Sequence, residues 1–382
     1  MLEYKDNYLH IISFDVPFPA DYGGVMDVFH KIRALADCNI NIILHCFQYG
    51  RSAQAELNKY CHKVYYYPRK RLLNPLKGTL PYIVSSRECP ELLTNLLQDN
   101  YPIIFEGIHT TFYLNHPDLK HRLKIVRNHN IEHEYYNNLA QVEKNIFKRI
   151  FFQKEAMRLK NYESNLIHAN YVLAISQPDT TYLKSKGINA RWVSAFHPND
   201  YVDIKPGTGN YIFYHGNLGV PENNHAALFL VKEVFRLINL PVIIAGSNPS
   251  AELRRAVKKL SYVTLKDNLS NEEIMEHIRD AQVNVLVTFQ ATGIKLKLLN
   301  SLFIGRHTVV NKQMVENTGV EALCHVANNP FELAESIFNL WEKPFSEIQV
   351  KERVHLLDSK FSNASSAEKI LDLFRRDEKV RV

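Results

Sequence analysis

Short apolar runs, each followed by a longer amphipathic stretch, recur along nearly the whole chain, and this alternation restricts the fold more than any other feature. In the first half the runs are YLHIISF (8–14), NIILHCF (41–47), KVYYY (63–67), PIIF (102–105), LKIV (123–126) and YVLAIS (171–176). In the second half they are YIFYHG (211–216), PVIIAG (241–246), YVTL (262–265), VNVLV (283–287) and TVV (308–310), with helix-like stretches near 222–237, 249–260, 271–280 and 294–304. Runs that are apolar throughout, spaced by helices, are strands buried on both faces, so the pattern predicts βαβ units and parallel sheets in an α/β protein. A chain of 382 residues exceeds one such core and suits two. The segment HPNDYVDIKPGTGN (197–210) is polar, holds two prolines and two glycines, and lacks apolar periodicity. The expected organisation is therefore a first Rossmann-like domain over 1–200, a linker over 201–210, a second over 211–358, and a C-terminal helix over 359–382 that either caps the second domain or crosses back to the first.

Hydrophobic residues at 46% and charged residues at 23% exclude an intrinsically disordered chain. Cys38, Cys46, Cys61, Cys89 and Cys324 are scattered with no CxxC pairing, which predicts neither a disulfide framework nor a zinc site. The N-terminus has no basic stretch leading into an apolar core and a cleavage site, and nowhere do 18 apolar residues run together, so the expected location is the cytoplasm. A formal charge of +6, without a basic stripe interleaved with aromatics, makes nucleic acid a poor partner. One helix stands apart. EKNIFKRIFFQKEAMRLKNYE (143–163) sets Lys144, Lys148, Arg149, Lys154, Arg158 and Lys160 beside Ile146, Phe147, Ile150 and Phe151, a pattern compatible with peripheral contact at the inner face of a membrane.

Ligands of doubly wound sheets sit beyond the carboxyl ends of the strands, with phosphates at helix N-termini. After the first strand, Gly23 and Gly24 lead into a helix carrying Val25, Val28, Phe29, Ile32 and Leu35. The second half repeats the device: Gly216, Asn217, Leu218 and Gly219 turn from a strand into a helix starting near Pro221. Later, Thr292 and Gly293 open a helix whose first turns carry Lys295 and Lys297. Lysines there oppose the helix dipole and call for a compensating anion.

Taken in succession, the Gly-Gly loop, VRNHNIEHEYYNNL (126–139), MRLKNYE (157–163), FYHGNLGVPENNHAALFLV (213–231) and TGIKLKLLNSLFIGRHTVVN (292–311) resemble retaining GT-B glycosyltransferases of family four, in particular bacterial polysaccharide-synthesis members. The resemblance covers nearly the whole chain and implies two Rossmann-like doubly wound domains with a donor held in the cleft between them. It implies that Gly23 and Gly24 face the donor pyrophosphate or the reacting sugar. His129 would stand beside the transferring sugar, flanked by Arg127 and Asn130. Gly216 and Asn217 would lie under the diphosphate, and Gly246 and Ser247 would form a second strand-end loop. The segment from Lys266 to Leu269, with Asn268, would pack on the nucleotide base, and Thr292, Gly293, Lys295 and Lys297 would bind phosphate. Two departures stand out. The Arg and Lys that many relatives carry in the first loop of the second domain are replaced by Asn217 and Asn224, and the ribose-gripping glutamate is Asn300.

Glycosyl transfer needs cations and oriented donors around a departing diphosphate. No Asp-x-Asp pair occurs, so no metal is expected, and Lys295, Lys297 and the amides near Gly216 and Gly293 are the substitutes. His129 would contact the sugar or position the acceptor, or simply close a polar strand-end network. Glu106 is a candidate for acceptor hydroxyls, or a cap for the helix beyond it. Glu132 and Glu134 read either as catalytic carboxylates or as acids suited to a helix start. The expected activity is transfer of a hexose-type sugar from a nucleotide-sugar to a glycan or lipid-linked acceptor, with retention, in surface polysaccharide synthesis. A non-hydrolysing sugar-nucleotide epimerase and a catalytically silent nucleotide-sugar binding protein are the other readings.

Overall fold

The computed structural model describes residues 7–70, 78–143, 145–289 and 295–381. Chain contacts divide it into two compact units, Met1–Phe196 with Ser366–Val382, and His197–Ser365. The residues 201–210, expected as a linker, are part of the second unit, where Gly207 pairs with Phe345 in an isolated antiparallel bridge. The helix Asn363–Arg381 passes into the first unit, where Ala367, Ile370, Leu371, Leu373 and Phe374 join that unit's core.

The first unit is built on strands β1 (Tyr8–Ser13), β2 (Asn41–Gln48), β3 (Lys63–Pro68), β4 (Ile103–Glu106), β5 (Lys124–Asn128), β6 (Tyr171–Ala174) and β7 (Ala190–Trp192). They form a seven-stranded sheet in the order β3-β2-β1-β4-β5-β6-β7, parallel throughout. Apolar residues of these strands are buried on both faces, Leu9, Ile11 and Leu44 in one core layer and Ile12, Phe105 and Val126 in another. That two-sided burial is the reason the runs read as continuous and not alternating.

The second unit contains β8 (Ile212–His215), β9 (Val242–Ala245), β10 (Val263–Lys266), β11 (Val283–Leu286), β12 (His307–Val310) and β13 (His325–Val326), ordered β10-β9-β8-β11-β12-β13 and again parallel. In both sheets the order reverses beside the first strand of the unit, between β1 and β4 and between β8 and β11. Connections leaving those strands in opposite directions open a crevice at their carboxyl ends. Two short strands, β7 and β13, lie outside the sequence expectation, because three and two residues carry no periodicity to read.

Candidate functional site

In the second unit, the turn after β8 and the helix after β11 meet at the strand-order reversal. Gly216 donates its N–H to Ala245 O at 3.1 Å and Gly219 donates to Ser247 O at 3.0 Å, so the turn leans on the end of β9. Gly246 makes this possible: a Cβ there would stand 1.9 Å from Gly216 O. Asn217 shapes the same turn, its Oδ1 accepting from Gly219 N at 3.0 Å and its carbonyl from Asn223 Nδ2 at 3.1 Å. Pro221 starts the following helix, Pro221–Phe229.

The helix Leu296–Ile304 has Lys295 as its N-cap residue and Lys297 in its first turn. Lys297 Nζ donates to Asn223 Oδ1 at 3.1 Å and lies 5.7 Å over the ring of Tyr214. Burial pushes the Lys297 pKa down to about 8; Glu222 opposes the shift and Lys295 adds to it. Burial lowers Lys295 as well, again against Glu222. Glu222 in turn accepts from Thr288, just beyond β11. His215, the last residue of β8, is buried with no partner for Nε2 among the described residues; burial first, then Lys297, pushes its pKa down to about 3. Lys295 and Lys297 thus lie near the Glu222 carboxylate, a neutral histidine and a glycine turn, an arrangement suited to a polyanion.

The other second-unit expectations are placed as follows. Ser247 is half-buried in the strand-end loop, Asn268 is exposed with φ 56°, and Leu269 is half-buried beside it. Asn300 is buried in the helix Leu296–Ile304, where its Oδ1 accepts from Asn199 Nδ2 at 2.9 Å. Thr292 and Gly293 lie outside the described residues.

The first unit has a different chemistry at its strand-order reversal. Asp27 and Lys31, one turn apart on the helix Gly23–Asp37, are buried beneath the ends of β4 and β5. The Asp27 carboxylate accepts from Arg127 Nε at 3.0 Å and Nη2 at 2.8 Å, from Lys31 Nζ at 3.0 Å, and from Phe196 N at 2.9 Å. Desolvation alone would raise its pKa, but Arg127 and Lys31 hold it well below the usual carboxylate range. Lys31 Nζ also lies 2.8 Å from the Glu106 carboxylate, and His129 Nε2 is 3.2 Å from Glu106 Oε2. Asp27, Glu106 and His129 bring ligand atoms within 4.8 Å of one another, the size of a metal centre, yet the Lys31 ammonium already stands between the two carboxylates and supplies the positive charge there.

Two of the residues expected on the acceptor side lie inside this cluster. Glu106 and Arg127 are fully buried, and Arg127 also donates to Val193 O at 2.7 Å and Ser194 O at 2.8 Å. Both are tied into the buried Asp27–Lys31 pair, and Glu106 also meets His129. His129, nearly buried, meets the Phe14 ring edge-on at 5.6 Å. Phe14 also sets the need for Gly24, where a Cβ would come within 2.8 Å of the Phe14 ring, whereas Gly23 is the first residue of the helix. Asn130 is half-buried and bonds through its side chain to Glu132, the first residue of the helix Glu132–Val142. Glu134, in the same turn, is exposed.

Sequence reading missed two residues near His129, and left open the role of a third, Glu132. His109, past Gly107 and its positive φ of 67°, lies 5.3 Å from the Phe14 ring, and its Nδ1 has no partner among the described residues. Arg87 is buried and donates to Phe14 O at 2.9 Å and Ile83 O at 2.6 Å; burial and Arg69 push its pKa down to about 9. Glu132 is buried, which pushes its pKa up to about 7 against Asn130 and Arg87. Asp27 and Lys31 were missed as well, though a signal existed: both fall within the apolar period Val25, Val28, Ile32, Leu35, where a charge is out of place.

A cavity of about 630 Å³ lies at the opposite edge of the second sheet, lined by Thr208–Tyr211, Glu276, His277, Asp280 and Arg306. Arg306 there donates to the carbonyls of Arg279, Asp280 and Ala281 at 2.9 to 3.1 Å, closing the end of the helix Asn271–Asp280. It faces the amino ends of the strands, away from the glycine turns.

No family model matches the chain. An uncharacterized 44.6 kDa protein in the cps region of Klebsiella pneumoniae is 24% identical over 355 residues, covering 86% of this chain and 89% of that protein. Among solved structures, HepE of Anabaena in complex with UDP superposes with a TM-score of 0.63 at 11% identity, over 97% of this chain and 99% of that one. A glycosyltransferase of Rickettsia africae gives 0.65 at 12%, over 98% and 100%. A TarM variant of S. aureus in complex with fondaparinux, alpha-GlcNAc-glycerol and UDP gives 0.65 at 12%, over 96% and 99%. With two parallel sheets ordered as above and whole-chain superposition on these enzymes, the chain has the GT-B glycosyltransferase fold, an α/β architecture of two Rossmann-like domains.

Proposed function

We propose that this protein is a glycosyltransferase that moves a hexose-type sugar from a nucleotide-sugar to a glycan or lipid-linked acceptor, with retention of anomeric configuration, in bacterial surface polysaccharide synthesis. The observation that carries the reading is Lys297 at the Gly216 turn, held 3.1 Å from Asn223, which in turn bonds Asn217, and depressed to a pKa of about 8 by burial, with Lys295 adding to that shift. An ammonium desolvated to that degree is stabilised when a diphosphate arrives. The helix N-terminus then adds its unpaired amides as charge builds on the leaving group. Nε2 of His215, without a partner among the described residues, offers a further polar contact. Complexes of HepE and TarM with UDP, and the position of the Klebsiella relative in a cps region, support the same class.

No metal is required in this scheme, since Lys295 and Lys297 neutralise the diphosphate and Lys31 holds the carboxylates of the first unit. His129 is assigned to the sugar or the acceptor hydroxyl, oriented by Glu106. Asn300, whose carbonyl is already engaged by Asn199, keeps its amide N–H groups for a ribose oxygen. The proposal is tested by incubating the purified chain, with and without chelator, with a panel of UDP- and GDP-sugars, and following nucleoside diphosphate release by mass spectrometry. Release from one donor that persists with chelator supports it; intact donors across the panel, with the protein folded, refute it.

A further inference from the structure

The helices Glu132–Val142 and Ile146–Tyr162 form a hairpin whose far end has no part in the site described above. Tyr136 meets Phe152 with ring centroids 5.9 Å apart, so residues 146–150 lie alongside 138–142 and Glu132 is level with about residue 156. Glu132 follows directly on the carboxyl end of β5, while the second helix leads on to β6, which starts at the opposite edge. Its first turns therefore rise beyond the carboxyl edge of the sheet by about 15 Å, ten residues at about 1.5 Å each. Asn145 caps this end, its Oδ1 accepting from Phe147 N at 3.0 Å and Lys148 N at 3.2 Å, so the projecting turns are formed helix and not a frayed end.

What projects is apolar and cationic together. Ile146 is 48% exposed, Phe147 79%, Ile150 46% and Met157 63%. Lys154 falls within this stripe at helical spacing, Arg149 and Lys160 run along its flank, Lys148 stands at the tip, and all four are exposed. No carboxylate of the helix shares that face. Glu155 is buried, accepting from Ile83 N at 2.9 Å, and Glu143, just ahead of the helix, accepts from Asn145 N at 2.8 Å. Arg158 turns inward to Glu155 at 3.6 Å, and Phe151 packs against Tyr82, which leaves the outward face narrower than the sequence suggests. Lys144 lies outside the described residues. A like-charged face of this kind repels its own copy in a two-fold contact, but complements a surface that is anionic outside and apolar within.

We infer that this hairpin tip docks on an anionic phospholipid bilayer. Ile146, Phe147 and Ile150 enter the boundary between headgroups and acyl chains, and Lys148, Arg149, Lys154 and Lys160 lie against lipid phosphates. The inference goes beyond the proposed transfer reaction and stands apart from it, since donor turnover in solution needs no docking. The test is flotation of the full chain with vesicles of phosphatidylcholine, with or without phosphatidylglycerol, at low and high salt. Binding is expected only to the anionic vesicles and falls with salt. Phe147→Asp and the double variant Lys148→Glu, Arg149→Glu each reduce the partition about tenfold or more. Both sets of side chains are exposed, so the thermal midpoint is unchanged. Absence of binding to anionic vesicles at low salt, or full binding by Phe147→Asp, overturns the inference. So does a concentration-dependent dimer in sedimentation velocity that Phe147→Asp abolishes while vesicles stay unbound, which assigns the face to a second copy.

Discussion

Lys297 Nζ lies 3.1 Å from Asn223 Oδ1, and Asn223 Nδ2 in turn donates to Asn217 O at 3.1 Å, so a single amide couples the cation to the turn that follows β8. Loss of that amide frees both ends. Asn223→Ala is expected to weaken nucleoside diphosphate binding about tenfold, with little change in the unfolding midpoint because Asn223 is only half-buried. Titration calorimetry with UDP and GDP measures it.

The same cation sets a pH dependence. Burial depresses Lys297 to about 8 in the free protein, and a bound diphosphate favours the charged form and raises that value. Affinity is therefore full below pH 8 and declines above it, by up to about tenfold per pH unit, because a proton must be taken up on binding. A diphosphate dissociation constant that stays flat from pH 7 to pH 9.5 would contradict this assignment.

Much of the fold was legible in the sequence because strands buried on both faces advertise themselves as apolar runs, and the runs at 8–14, 41–47 and 211–216 became β1, β2 and β8. The second-unit site was partly legible too: Gly216, Lys295 and Lys297 follow rules for anion sites that depend on local spacing. The first-unit cluster was not. Asp27, Lys31, Glu106 and Arg127 are joined across separations of up to 100 residues, and pairing over such distances is fixed by strand order, which periodicity does not reveal. Arg127 and Glu106 read as free polar groups at strand ends for the same reason, and only packing shows that their charges are spent on each other's neighbours.

Asp27 is the hub of that cluster, and removing its main partner leaves a buried carboxylate short of two hydrogen bonds. Arg127→Ala is expected to destabilise the chain by about 3 to 5 kcal/mol, against under about 1 kcal/mol for an exposed cation such as Lys154. Urea unfolding followed by circular dichroism separates the two.

Gly246→Ala tests the close approach of the second strand-end loop. Its Cβ would meet Gly216 O at 1.9 Å, backbone against side chain with nothing flexible to yield. The turn must move, at a cost of about 1 to 3 kcal/mol in stability and with loss of diphosphate binding. Gly50→Ala, with no atom within 4 Å of the added Cβ but a φ of 86°, is the control that carries strain without the clash; it loses stability while keeping the ligand.

A buried relay gives a separate acid sensitivity. His10 Nδ1 and His45 Nε2 are 2.8 Å apart, His45 Nδ1 is 2.8 Å from Tyr67 OH, and His10 Nε2 is 2.9 Å from Asp99. Burial lowers both histidines below 6.5, for His10 against the pull of Asp99, so the unfolded chain takes up protons first as pH falls. Stability is complete above about pH 7 and declines below 6.5, by up to about 1.4 kcal/mol per pH unit for each histidine. Thermal midpoints measured from pH 8 to pH 5 follow this decline, and His45→Gln flattens it.

The central claim is tested most directly by donor turnover in Lys297→Ala beside the unaltered chain, with nucleoside diphosphate release followed by mass spectrometry and folding checked by circular dichroism. The account predicts release by the unaltered chain from at least one nucleotide-sugar, and a loss of about a hundredfold or more in the variant with its fold intact. Equal turnover by the two proteins, or none by the folded unaltered chain with any donor, would contradict it.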